Sequence, residues 1–243
     1  MKIVKHIPNT ITSMNLLLGI MGVICTFEGN FKSAFILMLA AAVCDFCDGL
    51  AARLLGAYSN VGKELDSLAD MVSFGLLPSL MLHRLMVTVN DGYCLISYIP
   101  LIIAILSAVR LAKFNVDERQ TENFIGLATP ACAMICGSFT YYVSNDPTSQ
   151  LHSWAATSWF IPVCAVILSM LLVSEIPMFS MKFKKNMKPG DHVNTLRLAF
   201  GAIVIASCII VAILGLNWSM TVLIAFVSYI ILNIVGLMIS TRK

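Results

Sequence analysis

Eight runs of about 20 apolar residues follow one another along this chain, at roughly 14–30, 32–55, 63–86, 93–113, 125–144, 157–179, 195–215 and 217–240. Each is long enough to cross about 30 Å of hydrocarbon as a helix. That repetition leaves one fold class: an all-α, polytopic membrane bundle of about eight transmembrane helices. Composition agrees, since 58% of the 243 residues are hydrophobic and 12% charged, with a mean hydropathy of +0.87, far from the balance of soluble domains.

The first run is flanked by Lys2 and Lys5, like a secretory leader, but no small-x-small cleavage site follows it and further spans succeed it, so it is expected to be retained. Residues 1–12 set Ile3, Val4, Ile7 and Ile11 against Lys2, Lys5 and His6, which fits a short N-terminal amphipathic helix on the membrane surface or a charged leader. Eight crossings put both termini on one side. Of the 16 Lys and Arg residues only Lys32 and Arg84 fall opposite, so the positive-inside rule places the termini and residues 49–62 at the cytoplasmic face of the cell membrane.

The net charge of +3 suits anionic lipid headgroups, and no basic stripe suggests nucleic acid as a partner. Eight cysteines are scattered through apolar spans, where cysteine acts as a small hydrophobe. Cys44-x-x-Cys47 has the spacing of half a metal or redox site, yet no second Cys or His pair stands near it. The polar loop Val116 to Asn123 and the basic loop Lys182 to Thr195, with Pro189-Gly190, lie on the terminal side. The lysines of the second loop either set topology or meet anionic lipid or a substrate phosphate.

Against this apolar background stand Asp45, Asp48, Asp66 and Asp70. An ionised side chain in hydrocarbon costs at least about 2.5–3.5 kcal/mol, so four within 26 positions require a compensating partner. Gly56, Tyr58, Ser59 and Asn60 break the second run from the third, giving a helical hairpin with one pair on each arm. Spacings of three and four put each pair on one helical face. Facing each other, the pairs supply the oxygen ligands that Mg²⁺ or Mn²⁺ prefers. Buried ion pairs with Arg53, Lys63, Arg110 and Lys113 are the alternative, but they leave Gly49, Ala52 and Gly62 unexplained.

Gly49 removes a side chain next to a carboxylate, Ala52 stays small one turn on, and Arg53 offers a fork of donors suited to phosphate oxygens. A metal site with these neighbours reads as a diphosphate site, in which an uncommitted carboxylate takes the proton from an attacking hydroxyl.

The full pattern Asp45-x2-Asp48-Gly49-x2-Ala52-Arg53-x8-Gly62-x3-Asp66-x3-Asp70 resembles the signature of the CDP-alcohol phosphatidyltransferases without a substitution. The resemblance implies transfer of a substituted phosphoryl group from a CDP-linked lipid to an alcohol, with release of CMP. It implies that Asp45, Asp48 and Asp66 hold two divalent metals, and that Asp70 completes the site and acts as general base. Gly49, Ala52 and Arg53, with Asp48 and Gly62, would line the CDP pocket. Pro8-Asn9-x2-Thr12-x2-Asn15-x3-Gly19 also resembles the family, which makes Asn9 and Thr12 nucleotide contacts; the plain alternative is a pair of helix-start caps. A homodimer is implied as well.

Segments around the core resemble the bacterial and archaeal phosphatidylserine synthases within that family: Asp66-Ser67-Leu68-Ala69-Asp70-Met71-Val72-Ser73-Phe74-Gly75, Val109-Arg110-Leu111-Ala112-Lys113-Phe114-Asn115-Val116, Phe124-x-Gly126-Leu127-x-Thr129-Pro130-Ala131 and Leu172-Val173-Ser174-x-Ile176-Pro177. The likeness covers roughly residues 5–185 and implies CDP-diacylglycerol and L-serine as substrates. Ala128 departs from it, standing where that group usually has proline. Ser73, Arg110 and Lys113 are the expected acceptor or phosphate contacts; for Lys113 topology and snorkelling compete. The expected organisation is a catalytic core of six spans over 1–185 and a C-terminal pair over 186–243 that packs or dimerises. Two rivals are weighed. A membrane prenyltransferase would need Asp repeats on two separated helix pairs, and a cation transporter of inverted-repeat type would need a second half mirroring 45–70. The chain has neither.

Overall fold

The computed structural model describes residues 6–90, 92, 94–117, 124–178 and 192–240. In chain order these form α1 (His6–Phe27), α2 (Phe31–Leu54), α3 (Asn60–Asp70), a π-helical segment (Met71–Leu76), α4 (Leu77–Val89), a 3-10 stretch (Leu95–Leu101) and α5 (Ile102–Val116). Then come β1 (Phe124–Ile125), α6 (Thr129–Asn145), the short α7 (Gln150–Ala155), α8 (Phe160–Val173), β2 (Pro177–Met178), α9 (His192–Ile213) and α10 (Ser219–Ser240). Residues 60–89 run on as one rod, as do 95–116, so every expected span corresponds to a helical rod. The result is a multi-pass helical membrane bundle.

Among the described residues, six rods are long and apolar enough to cross a bilayer. The two exceptions are α6, with 17 residues, and α8, with 14, lengths of about 25 and 21 Å. The run 125–144 is shortened because its first residues are spent on β1 and the approach to α6. The run 157–179 is shortened because β2 ends it. Shortness is tolerated in α6 because protein surrounds it: residues from Ala131 to Val143 are buried without interruption, against α2, α4 and α10. The separate amphipathic helix expected over 1–12 is corrected from His6 onward, where the chain is already the first turn of α1; residues 1–5 lie outside the described residues. So do Lys182, Lys184, Lys185 and Lys188, most of the 116–123 loop, and the expected boundary at 185.

Local chemistry sets the hairpin that carries the carboxylates. Gly56, at φ +58, ends α2 in a Schellman arrangement: Ala57 N–H reaches Ala52 O at 3.0 Å and Gly56 N–H reaches Arg53 O at 3.4 Å. Three residues later Ser59 caps α3, its Oγ accepting from Gly62 N–H at 3.0 Å.

Small residues let the rods close around the π-helical segment. A Cβ on Gly19 of α1 would overlap Ser73 Oγ, and one on Gly75 would lie 3.1 Å from Ser107 Cβ of α5. Such contacts between small residues allow close backbone approach in membranes. Opposite the α2–α3 turn, Phe35 stacks on Trp218 at 5.4 Å and tilts against Tyr141 at 6.2 Å.

The chain enters α6 through a stitched corner. Ile125 stands opposite Pro177, Gly126 N–H donates to Ile176 O and Leu127 N–H to Leu171 O, both at 2.9 Å. Gly126 has φ +76 and packs so tightly that a Cβ would sit 2.7 Å from Leu172 O, so the position requires glycine. Ala128 follows at φ −66, ψ 136, a conformation proline also adopts; its departure from the related sequences therefore leaves the helix start intact.

Candidate functional site

Asp45 and Asp48 come from the C-terminal half of α2, and Asp66 and Asp70 from α3. The hairpin folds the pairs together, so that Asp45, Asp48 and Asp66 each present an oxygen within 4.8 Å of the others. Asp70 lies one turn deeper, outside that trio but in electrostatic contact with all three. Lys63 and Arg110 are engaged elsewhere: Lys63 Nζ donates to Asn115 O at 2.8 Å and Arg110 Nη1 to Thr129 Oγ1 at 3.2 Å. Neither of these hydrogen bonds goes to one of the four carboxylates.

Two side chains of α1 orient the cluster. Thr12 Oγ1 donates to Asp48 Oδ2 at 2.6 Å, and Asn15 Nδ2 to Asp70 Oδ1 at 3.2 Å. Both lie well inside α1, so Thr12 is not a helix-start cap. Asn15 is in turn fixed by Ser73, whose Oγ donates to the Asn15 carbonyl at 3.0 Å. Ser73 is fully buried, packed between α1 and the rest of its own rod. Asp66 Oδ1 is buried with no hydrogen-bond partner. An orphaned carboxylate oxygen facing two others is the donor set of a hard divalent cation, and these residues fit one.

Beside the trio opens a cavity of about 440 Å³, with Asn9, Thr12, Asp48, Gly49, Ala52, Gly62 and Asp66 in its walls. Gly49 has nothing within 4 Å of where a Cβ would stand, whereas at Gly62 a Cβ would press on Asn9 Oδ1 at 2.9 Å. One glycine leaves room for a ligand and the other lets α1 approach α3. Arg53 sits exposed in the last turn of α2, outside those walls.

A second cavity, of about 480 Å³, lies between the end of α5 and the corner after α8, walled by Arg110, Lys113, Phe114, Ser174 and Glu175 among others. Arg110 is 8% exposed, its Nε is buried without a partner, its guanidinium lies 5.7 Å from the Phe114 ring centroid, and it interacts electrostatically with Asp70.

Sequence reasoning left three groups unassigned. Asn15 stood in the quoted N-terminal pattern, and its spacing of three from Thr12 was the available signal. Tyr58, Ser59 and Asn60, which read as a helix break, line the first cavity together with Lys63, which read only as an ion-pair alternative. Tyr229 of α10, buried and edge-on to Phe200 of α9 at 6.1 Å, gave no sign within its apolar run.

Clustered carboxylates beside a cavity in an apolar helical bundle form a group that could hold a divalent metal ion. The chain belongs to the CDP-alcohol phosphatidyltransferase family, whose model matches residues 5–171 and whose members are divalent-metal dependent. It is 33% identical to the CDP-diacylglycerol–serine O-phosphatidyltransferase of Mycobacterium leprae over 184 residues, 72% of this chain and 58% of that protein. The Bacillus subtilis protein of the same name is 34% identical over 142 residues, 56% of this chain and 77% of its own. An archaetidylserine synthase of Methanothermobacter thermautotrophicus is 33% identical over 135 residues, 55% and 57% of the two chains. The chain thus spans less than two thirds of the first of these relatives.

Proposed function

We propose that this protein is a phosphatidylserine synthase, transferring the phosphatidyl group of CDP-diacylglycerol to the hydroxyl of L-serine with release of CMP. The observation that carries the reading is the trio Asp45, Asp48 and Asp66, of which Asp48 and Asp66 line a cavity shaped by Asn9, Thr12, Gly49, Ala52 and Gly62. The relatives named for serine supply the acceptor.

In this reading Asp45, Asp48 and Asp66, with Asp70 beside them, hold two Mg²⁺ or Mn²⁺ ions. Once bound, the ions neutralise the diphosphate and the departing phosphate oxygen. The cytidine end occupies the first cavity, where the bare Gly49 backbone admits it and Asn9 and Thr12 flank it. Arg53 reaches the diphosphate from the cavity's rim. Asp70, oriented by Asn15, takes the proton from the serine hydroxyl. The freed oxygen bonds to the phosphorus bearing diacylglycerol, the phosphorus–oxygen bond to CMP breaks, and CMP leaves with that electron pair. Arg110 and Lys113 meet the serine carboxylate in the second cavity, a role supported by the orphaned Arg110 Nε. Ser73 holds Asn15 instead of touching the acceptor.

The site and both termini face the cytoplasm, where CMP and serine exchange while the acyl chains stay in lipid. The catalytic core spans 1–185, and a homodimer, implied by the family resemblance, belongs to the same reading. The test is CMP release by purified protein given CDP-diacylglycerol, Mg²⁺ or Mn²⁺, and one alcohol at a time. Turnover with serine alone supports the assignment; turnover with glycerol 3-phosphate or inositol phosphate and none with serine overturns it.

A further inference from the structure

Asn115 stands between residues that wall the second cavity but is not one of them. It is the penultimate residue of α5, where helix carbonyls lack a partner within the helix. Two bonds join it to α3. Lys63 Nζ donates to Asn115 O at 2.8 Å, capping the C-terminal end of α5 with a cation. Asn115 Nδ2 donates to Ser67 Oγ at 2.9 Å, and Ser67 Oγ donates in turn to Lys63 O at 3.3 Å. The three residues therefore form a closed clasp. Asn115 and Ser67 are both half-buried, where such a bond is stronger than at an open surface. Lys63 and Ser67 lie one turn apart on α3, Asp66 falls between them, and Asp70 follows Ser67 by three residues. All four occupy one side of the helix. Two bonds one turn apart thus fix the rotation of α3 about its axis, and with it the direction of both carboxylates. On the other rod, Lys113, Phe114, Val116 and Asp117 flank Asn115 and wall the second cavity, while Lys63 walls the first. The clasp is where the carboxylate-bearing helix meets the wall of the second cavity.

We infer that Asn115 is a positioning residue: through Ser67 its side chain holds the last turn of α5, and with it Lys113, in register with Asp66 and Asp70. The inference rests on the reading of the second cavity as the acceptor's site. Without the side-chain bond the turn keeps its Lys63 cap but loses the contact that sets its distance from α3.

The experiment compares wild type, Asn115→Ala, Ser67→Ala, the double variant and Ser67→Thr as full-length protein in lipid nanodiscs, measuring kcat and the KM for acceptor and for CDP-diacylglycerol. Asn115→Ala and Ser67→Ala remove the two ends of one bond and leave the Lys63 bond to the main-chain carbonyl. Each is expected to raise the acceptor KM about fivefold, the scale of one net hydrogen bond, with the KM for CDP-diacylglycerol unchanged. The double variant is expected to be no worse than either single one, and Ser67→Thr, which keeps the hydroxyl, to behave as wild type. An unchanged acceptor KM in either single variant or an equal rise in both KM values overturns the inference. So do losses that multiply in the double variant, or a Ser67→Thr protein as impaired as Ser67→Ala. If Asn115→Ala does not fold, Ser67→Ala and Ser67→Thr decide between these outcomes. Absence of serine turnover in wild type overturns the serine reading instead, and the same comparison is then made with the alcohol that wild type does use.

Discussion

Replacing Gly19 by alanine tests whether the seam between α1 and the π-helical segment sets the site. The added Cβ would overlap Ser73 Oγ and lie 3.0 Å from Ser73 Cα. Carbon atoms pack best at about 3.5–4.0 Å, so α1 must withdraw by roughly 0.5–1 Å. The same helix carries Thr12 and Asn15, whose bonds to Asp48 and Asp70 span 2.6 and 3.2 Å. A withdrawal of that size breaks the second and stretches the first. Overpacking of this kind costs about 1–3 kcal/mol of stability, and misplacing a catalytic group by about 1 Å costs on the order of 100-fold in rate. The assay is CMP release from CDP-diacylglycerol in nanodiscs beside a thermal unfolding curve. Gly201→Ala serves as control, because nothing lies within 4 Å of its added Cβ. Removing the worst contact with Ser73→Ala should restore part of what Gly19→Ala loses, a coupling that a double-mutant cycle resolves. Wild-type kcat/KM in Gly19→Ala, or losses from the two changes that simply add, would refute the reasoning.

Thr12→Val removes the donor to Asp48 and should raise the Mn²⁺ concentration for half-maximal CMP release about tenfold, with Thr12→Ser near wild type. Gly126→Ala places a side chain at φ +76 against two carbonyl oxygens; left-handed strain alone costs about 1–2 kcal/mol, so the unfolding midpoint should fall clearly. Ala128→Pro, at a backbone already at φ −66, should raise stability by about 0.4–1 kcal/mol in the same assay.

The bundle was legible because hydrocarbon imposes a length on every span, and the eight apolar runs obey it closely enough to locate all the rods. The lengths of α6 and α8 were not, because the residues that shorten them, Phe124–Ile125 and Pro177–Met178, pair across about 50 positions of sequence. Asp45, Asp48 and Asp66 converge as their spacing implied, since a short capped hairpin leaves the two arms little freedom. Asn15 escaped notice for a different reason: its partner Asp70 lies on another rod. The π-helical turn at Met71–Leu76, where Gly19 and Ser107 of neighbouring rods come close to Ser73 and Gly75, was likewise not legible from local propensity.

The central claim is that Asp45, Asp48 and Asp66 hold a divalent cation between α2 and α3. Mn²⁺ binding followed by electron paramagnetic resonance on purified protein tests it without any substrate. The account predicts bound Mn²⁺ in wild type, displaced by excess Mg²⁺, and loss of that signal in Asp66→Asn and Asp48→Asn variants that keep the wild-type unfolding midpoint. Equal Mn²⁺ binding by wild type and both variants would contradict it.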